Sequence, residues 1–331
     1  MSEFRQDIVN KNWVLIAEGR QRRPVDFQSY AATPPELPEI SNKCDFCPGQ
    51  ESETKQEIAK YQKDGKWLVR VVPNKFEAVG HVIGKRTEDF YVSRPGIGDH
   101  EVLITRYHNQ PTALQSVELI DFTLKAYIDR FNDLWLHDEV QYIHVIQNHG
   151  MQAGASLVHP HSQIFAIPFL PDRIRDEIVG TRNYYETNEA CVYCAMILFE
   201  LKARSRVILD TPDFLVMAPY ASKMPYEIHI LPKIHRAFFH QITISERKSL
   251  ARAMKEVFSR LFARMQNPSY NYYIHTLPQR LSMSRRSISD KDCYHWHIVI
   301  LPRVNVWAGF ELGTEVYVNP MPPETAAKFL R

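Results

Sequence analysis

The sequence predicts an α+β chain of two similar halves, each an antiparallel sheet carrying one long helix. Three observations point there. One order of features occurs twice: a Cys-x-x-Cys pair, a strand running into a histidine, a helical segment, another strand and a His-x-His. That repeat is far too long for a solenoid and indicates a doubled domain. Twenty-one prolines stand against twelve glycines, with sixteen tyrosines and seventeen phenylalanines, a loop-rich and strand-favouring mixture. Residues 112–137 and 244–265 carry apolar side chains at helical spacing, whereas the flanking segments alternate at period two.

Residues 8–17 read as strand, turn and strand, with Asn10-Lys11-Asn12 at the turn. The basic loop Gly19-Arg-Gln-Arg-Arg-Pro24 follows, and a solvated patch is the ordinary fate of such a run. Residues 31–43 are Pro-rich and lead into Cys44-Asp-Phe-Cys47-Pro-Gly49, a knuckle-like turn in which two thiolates can chelate one ion. Trp67–Val72 and Asp99–Thr105 are strands, the latter running on to His108. The first helix rests on Leu114, Val117, Ile120, Leu124, Ile128 and Phe131, and strand Gln141–Ile146 comes next. It feeds Gln147–Gln163, a Gly/Ala/Ser-rich approach to His159-Pro-His161. The second half begins with Cys191-Val-Tyr-Cys194 and strands near 206–209 and 213–218. Strand Tyr226–Leu231 ends at Pro232-Lys-Ile-His235, the helix 244–265 follows, and the strands of Tyr270–His275 and Tyr294-His-Trp-His297 complete the copy. The join falls near 170–190, which divides the chain into halves 1–180 and 181–331.

Composition narrows the function. The chain has 331 residues, 44% apolar and 24% charged, which are globular values. A formal charge of +2 gives no electrostatic case for binding nucleic acid. The N-terminus lacks an apolar signal-like stretch and no 18-residue apolar run occurs, so a soluble cytoplasmic protein without a membrane partner is expected. Four of the five cysteines form the two Cys-x-x-Cys pairs. Redox use would place such a pair at a helix N-terminus within a βαβ unit, a setting neither pair is expected to have, so metal is the favoured reading.

Cys44, Cys47, His108 and His159 make a closed set of two thiolates and two imidazoles, the donor chemistry of structural zinc. The second set is Cys191, Cys194, His235 and a fourth ligand, for which repeat symmetry nominates His295 and His275 competes. On a strand, residues 159 and 161 share a face, so both rings look into one site. His161 is the candidate nucleophile, because imidazole is largely unprotonated at pH 7 and forms a labile bond to phosphorus. Gln163, on the same face, can donate its amide to a phosphoryl oxygen, and Gly154-Ala155-Ser156 offers backbone donors and a hydroxyl. In the second copy Trp296 replaces Pro160 and Val299 replaces Gln163, which makes His297 a structural residue.

These motifs resemble the galactose-1-phosphate uridylyltransferase family, a branch of the histidine-triad superfamily. The likeness rests on His159-Pro-His-Ser-Gln-Ile-Phe-Ala166, Asn148-x-Gly150, Gly154-x-Ser156, Arg20 to Arg23, Pro73-Asn74-Lys-Phe76 and the final Tyr294-His-Trp-His segment. It covers essentially the whole chain. It implies histidine-triad-like halves, a homodimer, and transfer of a nucleoside monophosphate from a nucleotide sugar to a phosphate or sugar 1-phosphate acceptor through nucleotidyl-His161. It also implies that Arg20, Arg23, Asn74, Asn148, Ser156 and Gln163 line the nucleotide and phosphate site, with Glu311 in a C-terminal segment that helps hold the hexose phosphate. Some members have a second metal site matching Glu177, His275, His295 and His297. Members similar to plant-type ADP-glucose phosphorylase hold a second zinc with the pattern Cys191, Cys194, His235 and His275, and that set is the expected one. Two zinc ions per chain follow, with iron as the alternative in the second site.

Uridylyl transfer is the expected activity. ADP-glucose phosphorolysis or adenylyl transfer is the alternative, supported by Ser162 and by a C-terminal stretch Asn305-Val-Trp-Ala-Gly-Phe-Glu311 that lacks the lysine and tyrosine of the uridylyltransferases. A histidine-triad hydrolase and a non-catalytic zinc-stabilised binding protein are the rivals. The second predicts that His161→Ala changes no measurable behaviour.

Overall fold

A computed structural model describes residues 2–19, 37–81, 90–91, 93, 95–280 and 289–331. Arg20 and Arg23 lie outside the described residues. Thirteen strands and seven helices are described. The first half holds β1 (Ser2–Gln6), β2 (Trp13–Ala17), β3 (Ala59–Lys63), β4 (Lys66–Pro73), β5 (Asp99–Thr105), α1 (Val117–Leu134), β6 (Tyr142–His149) and β7 (His161–Ile167). Then come α2 (Asp172–Asn188), α3 (Val192–Ala203), β8 (Val207–Asp210), β9 (Phe214–Met217), β10 (Ile228–Pro232), α4 (Ile244–Met265) and β11 (Tyr270–His275). The chain ends with α5 (Asp290–Cys293), β12 (His297–Pro302), α6 (Gly309–Thr314), β13 (Tyr317–Asn319) and α7 (Pro323–Leu330).

Ten strands form one sheet in the order β3-β4-β5-β7-β6-β11-β12-β10-β9-β8. Read inward from either edge, each half contributes five strands in the same sequence, and β6 meets β11 antiparallel at the centre. The residues around 180 lie within α2. A smaller sheet, β1-β2-β13, pairs β13 parallel to β2.

Helices α1 and α4 cover one face of the large sheet. Ser116 caps α1 by accepting from the Leu119 N–H at 3.1 Å, and α4 opens with a capping box of Thr243 and Glu246. Leu124, Tyr127 and Phe131 of α1 and Leu250, Val257 and Phe258 of α4 pack on Leu103, Ile164, Ile274 and Ile298 beneath them. Period-two alternation then sends the intervening strand residues to the opposite face. One row of directly paired residues crosses that face: Val72, Val102, Gln163, Ile146, Tyr273, Val299, His229 and Met217.

Several local expectations change. Residues 8–17 were expected to hold two strands; instead β1 ends at Gln6 and Ile8 and Val9 belong to the turn, where Asp7 Oδ1 accepts from the Val9 and Asn10 N–H groups at 2.9 Å each. The first helix is shorter than 112–137 because Ser116 caps it. Helices α2 and α3 were not anticipated. Cys191 is the N-cap of α3, one part of the helix-start-in-βαβ setting that neither Cys-x-x-Cys was expected to have. The following strands form an antiparallel hairpin rather than a βαβ unit. No helix among the described residues is long and apolar enough to cross a membrane.

Candidate active site and metal centres

His161 is the first residue of β7, so His159 precedes the strand rather than lying on it. Both residues still line one cavity, and the Phe46 ring centre lies 5.4 Å from that of His161 and 5.9 Å from that of His159. His161 Nδ1–H donates to the His159 carbonyl at 2.8 Å. A neutral imidazole carries one proton, so Nε2 retains its lone pair. Burial lowers the pKa of His161, which favours that neutral form.

His161 lines a cavity of about 510 Å³ with Asn74, Ser156 and Gln163, and Lys43, Lys55 and Lys75 also line it. Such a volume suits a small-molecule ligand. His100, which the sequence reading did not single out, fixes the amide of Gln163. The Ala78 backbone N–H donates to His100 Nδ1 at 3.1 Å, so the proton sits on Nε2 and is donated to Gln163 Oε1 at 2.8 Å. Among the described residues the amide NH₂ of Gln163 has no hydrogen-bond partner, which leaves it for a ligand. Asn74 Nδ2, 3.0 Å from the same imidazole nitrogen, makes no hydrogen bond in that tautomer. The His100 ring stacks on Phe165 at 4.0 Å. The only sequence signal for it was a histidine at the period-two position preceding Val102, the residue paired with Gln163.

Other expected residues are placed differently. One register step beyond Gln147↔Ser162 sets Asn148 beside His161, but Asn148 does not line the cavity. Its Oδ1 accepts from Asn271 Nδ2 at 2.8 Å, and the same Nδ2 donates to the Ala153 carbonyl at 2.8 Å. Asn148 therefore supports the loop leading to Ser156. That loop turns at Gly150 (φ +80°), where an added Cβ would lie 2.1 Å from Ser269 Oγ. The N–H groups of Gly154 and Ala155 donate to Met151 and Gly150 carbonyls, so they are not free backbone donors as expected. Glu311 also does not line the cavity: it is buried at the start of α6 and its Oε2 accepts from the Ala308 N–H at 2.9 Å. Ser162 faces the helices, where Tyr127 Oη donates to its hydroxyl at 2.5 Å.

Among the described residues, three groups of side chains can hold a metal ion. In the first, Cys44 Sγ and Cys47 Sγ lie 3.6 and 3.5 Å from His159 Nδ1, and Cys47 Sγ lies 3.6 Å from His108 Nδ1. The two Nδ1 atoms are 3.3 Å apart. A tetrahedron with ordinary Zn–S and Zn–N bonds has S···N edges of about 3.6 Å and an N···N edge of about 3.3 Å. His159 Nε2–H donates to the Thr105 carbonyl at 2.6 Å, which leaves Nδ1 for the ion.

The second group is Cys191, Cys194, His235 and His295. Cys194 Sγ lies 3.4 Å from His235 Nδ1 and 3.6 Å from His295 Nδ1. The Nε2–H groups of His235 and His295 donate to the Lys291 and Pro232 carbonyls at 2.8 Å each. The expected fourth ligand, His275, is therefore corrected to His295. His295 precedes β12 as His159 precedes β7, where it can turn to the thiolates. His275 lies on β11, paired with His297, and its Nδ1 is 3.0 Å from Glu177 Oε2 in the third group of Glu177, His275 and His297. Burial raises the Glu177 pKa, but His275, His297 and Arg173 outweigh it and hold the carboxyl below its usual range. Of the alternative set of Glu177, His275, His295 and His297, only His295 is drawn elsewhere.

The family described as galactose-1-phosphate uridyl transferase, N-terminal domain, matches residues 1–171. An ADP-glucose phosphorylase of Arabidopsis thaliana is 33% identical over 99% of this chain and 92% of that protein. A galactose-1-phosphate uridylyltransferase of Thermotoga maritima is 28% identical over 100% of this chain and 98% of that one. A crystal structure of an Arabidopsis thaliana ADP-glucose phosphorylase with bound ADP-glucose superposes with a TM-score of 0.83 at 30% identity, covering 100% of this chain and 99% of that one. A solved uridylyltransferase shares the fold, with a TM-score of 0.75 at 24% identity, covering 100% and 97% of the two chains. The family match over half of the chain and the end-to-end likeness to its members establish that this protein belongs to the galactose-1-phosphate uridyl transferase family.

Proposed function

We propose that the chain is a nucleotidyltransferase that passes a nucleoside monophosphate between a nucleotide sugar and a phosphate-bearing acceptor through nucleotidyl-His161. The supporting observation is the His161 ring, whose Nδ1–H is committed to the His159 carbonyl at 2.8 Å, which leaves Nε2 as the lone-pair nitrogen of a residue that lines the cavity. Nε2 attacks the α-phosphorus, a P–N bond forms, and the bond to the bridging oxygen breaks. The hexose 1-phosphate leaves with that electron pair and needs no proton. In the second step an acceptor phosphate oxygen attacks, the P–N bond breaks, and neutral His161 is restored. The His159 carbonyl stabilises the cationic phospho-imidazole between the steps. Gln163 donates its NH₂ to a non-bridging phosphoryl oxygen, with Ser156 and Asn74 beside it.

Uridylyl transfer is the first reading of the donor, as the family's name and the relatives so named indicate. Adenylyl transfer is the second, favoured by the 33% identity to an ADP-glucose phosphorylase. One zinc ion is proposed for Cys44, Cys47, His108 and His159 and another for Cys191, Cys194, His235 and His295. Bound there, zinc supplies cross-linking of the knuckles to the strand ends, including the one that precedes His161. A homodimer, a cytoplasmic location and an evolutionary doubling of halves 1–180 and 181–331 belong to the same reading.

Isotope exchange tests it. With UDP-glucose or ADP-glucose and labelled glucose 1-phosphate alone, label enters the nucleotide sugar if a nucleotidyl-enzyme forms. Transfer that requires both substrates together, with no partial exchange on either donor, would rule out double displacement with these donors.

A further inference from the structure

The residue that ends β5 grips the segment before His161 from two sides. Thr105 is buried, and its carbonyl accepts from His159 Nε2–H at 2.6 Å. Its hydroxyl lies 3.1 Å from the Pro160 carbonyl, and its backbone N–H lies 3.4 Å from the same oxygen. A carbonyl oxygen can only accept, so the hydroxyl donates. That carbonyl belongs to the rigid peptide plane joining Pro160 to His161, whose orientation sets the direction in which the His161 side chain leaves the backbone. Gln115 Nε2 donates to the Gln110 carbonyl at 3.0 Å and approaches the Thr105 hydroxyl at 3.5 Å. The hydroxyl thus turns a lone pair to the amide and its proton to Pro160.

The second half supplies the comparison. Pro232 ends β10 as Thr105 ends β5, and its carbonyl accepts from His295 Nε2–H at 2.8 Å. That carbonyl task orients a metal-facing imidazole, is common to both halves and needs no particular side chain. Proline has neither a hydroxyl nor a backbone N–H, so position 232 cannot donate to the Trp296 carbonyl. Trp296 instead donates its own N–H to the Arg236 carbonyl at 2.9 Å, a bond that Pro160 cannot make. His297 follows, with its Nδ1–H on the His295 carbonyl at 3.1 Å, and Val299 stands where Gln163 stands in the first half. The two donors of Thr105 therefore occur in the half that carries the nucleophile and its phosphoryl donor. The half without that donor has neither.

We propose that Thr105 is a positioning residue for His161: its hydroxyl fixes the Pro160–His161 peptide and with it the line along which Nε2 meets phosphorus. The role in transfer rests on the nucleotidyl-His161 reading. Attack in line tolerates little misplacement, and an error of about 1 Å costs about 10²-fold. No proton passes through Thr105, and it touches no substrate. Its two tasks are separable, because removing the hydroxyl leaves the carbonyl that holds His159 in place.

Exchange of labelled glucose 1-phosphate into UDP-glucose or ADP-glucose, run on the full, metal-replete protein, tests this. Thr105→Val keeps the shape, the N–H and the carbonyl. It should lower kcat about tenfold, with KM within about twofold of wild type and the bound zinc unchanged. Thr105→Ser should return kcat to within about threefold of wild type. Thr105→Ser and Thr105→Ala lose the same methyl and differ in the hydroxyl alone, so a kcat ratio of about ten between them carries the test even where Thr105→Val folds poorly. Wild-type kcat in Thr105→Val, equal losses in Thr105→Ser and Thr105→Ala, or a loss that follows departure of zinc would overturn the proposal. Where neither donor forms nucleotidyl-His161 on wild type, the transferase reading fails by itself and the imidazole nitrogen signals of histidine-labelled protein decide, with His161 assigned by its loss in His161→Ala. A mixture of the two His161 tautomers in Thr105→Val, against Nδ1–H alone in wild type and Thr105→Ser, upholds the positioning role; Nδ1–H alone in Thr105→Val overturns it.

Discussion

Replacing His100 with phenylalanine tests whether Gln163 works through a fixed amide. The substitution keeps the stack on Phe165, now 4.0 Å between ring centres, and keeps an aromatic ring at a position only 6% exposed. It deletes the 2.8 Å hydrogen bond to Gln163 Oε1 and the acceptor for Ala78 N–H. A neutral hydrogen bond is worth about 0.5–1.5 kcal/mol net, so transfer should slow by about 2–13-fold once Gln163 is free to flip. Gln163→Ala removes the phosphoryl donor itself and should cost about 10²–10³-fold, as loss of an oxyanion donor does. Because His100 acts through Gln163, the double variant should be no slower than Gln163→Ala alone. The assay is kcat and KM for each of the four proteins, with melting temperatures to correct for stability. A double variant slower than Gln163→Ala by the full His100→Phe factor would refute the positioning role, as would a His100→Phe enzyme with wild-type kcat.

Three further outcomes follow from the geometry. His295→Ala should lose one zinc equivalent by elemental analysis, whereas His275→Ala should retain both thiolate-held ions; the reverse result would restore His275 to the second site. Gly180→Ala should lower stability despite a helix preference of about 1 kcal/mol for alanine, since the new Cβ would lie 1.9 Å from the Val9 carbonyl oxygen. Backbone cannot swing aside as a side chain can, so overpacking of about 1–3 kcal/mol wins, and an unchanged or higher melting temperature would contradict this. Burial lowers the pKa of His240 to about 4, with Nδ1 lacking a hydrogen-bond partner among the described residues. The unfolded chain therefore takes up the proton first as pH falls, and stability is lost between about pH 6.5 and 4. The loss should be about 1–2 kcal/mol after screening through its partly open side, and His240→Phe should flatten that part of the denaturation profile.

The sequence showed strong periodicities well and weak ones poorly. Helix α4 was expected at 244–265 and spans Ile244–Met265, because its apolar stripe is continuous and Thr243 and Glu246 mark its start. Helix α2 was invisible to that reasoning: of its seventeen residues, Ile174, Glu177, Ile178, Gly180 and Thr181 are buried, too polar a set to form an apolar stripe. Strand β1 was missed because it is largely exposed and takes its order from β2. For the site, donor type and repeat order nominated the first group of Cys44, Cys47, His108 and His159, and these do meet. Spacing alone did not separate His275 from His295, because that choice depends on which side of an extended segment a ring leaves. Asn148 and Glu311 carried the expected chemistry, but their oxygens are engaged by Asn271 and by the start of α6. His100 looked like one residue of an ordinary strand, and only the pairing of β5 with β7 reveals its partner.

The most direct test of the central claim is the intact mass of the protein after separate incubation with UDP-glucose and ADP-glucose, beside His161→Ala and followed by peptide mapping. A uridylyl or adenylyl adduct on wild type, located on His161 and absent from the variant, is the predicted result, and its mass identifies the base. An adduct on any other residue, or one that persists in His161→Ala, would contradict a nucleotidyl-His161 intermediate.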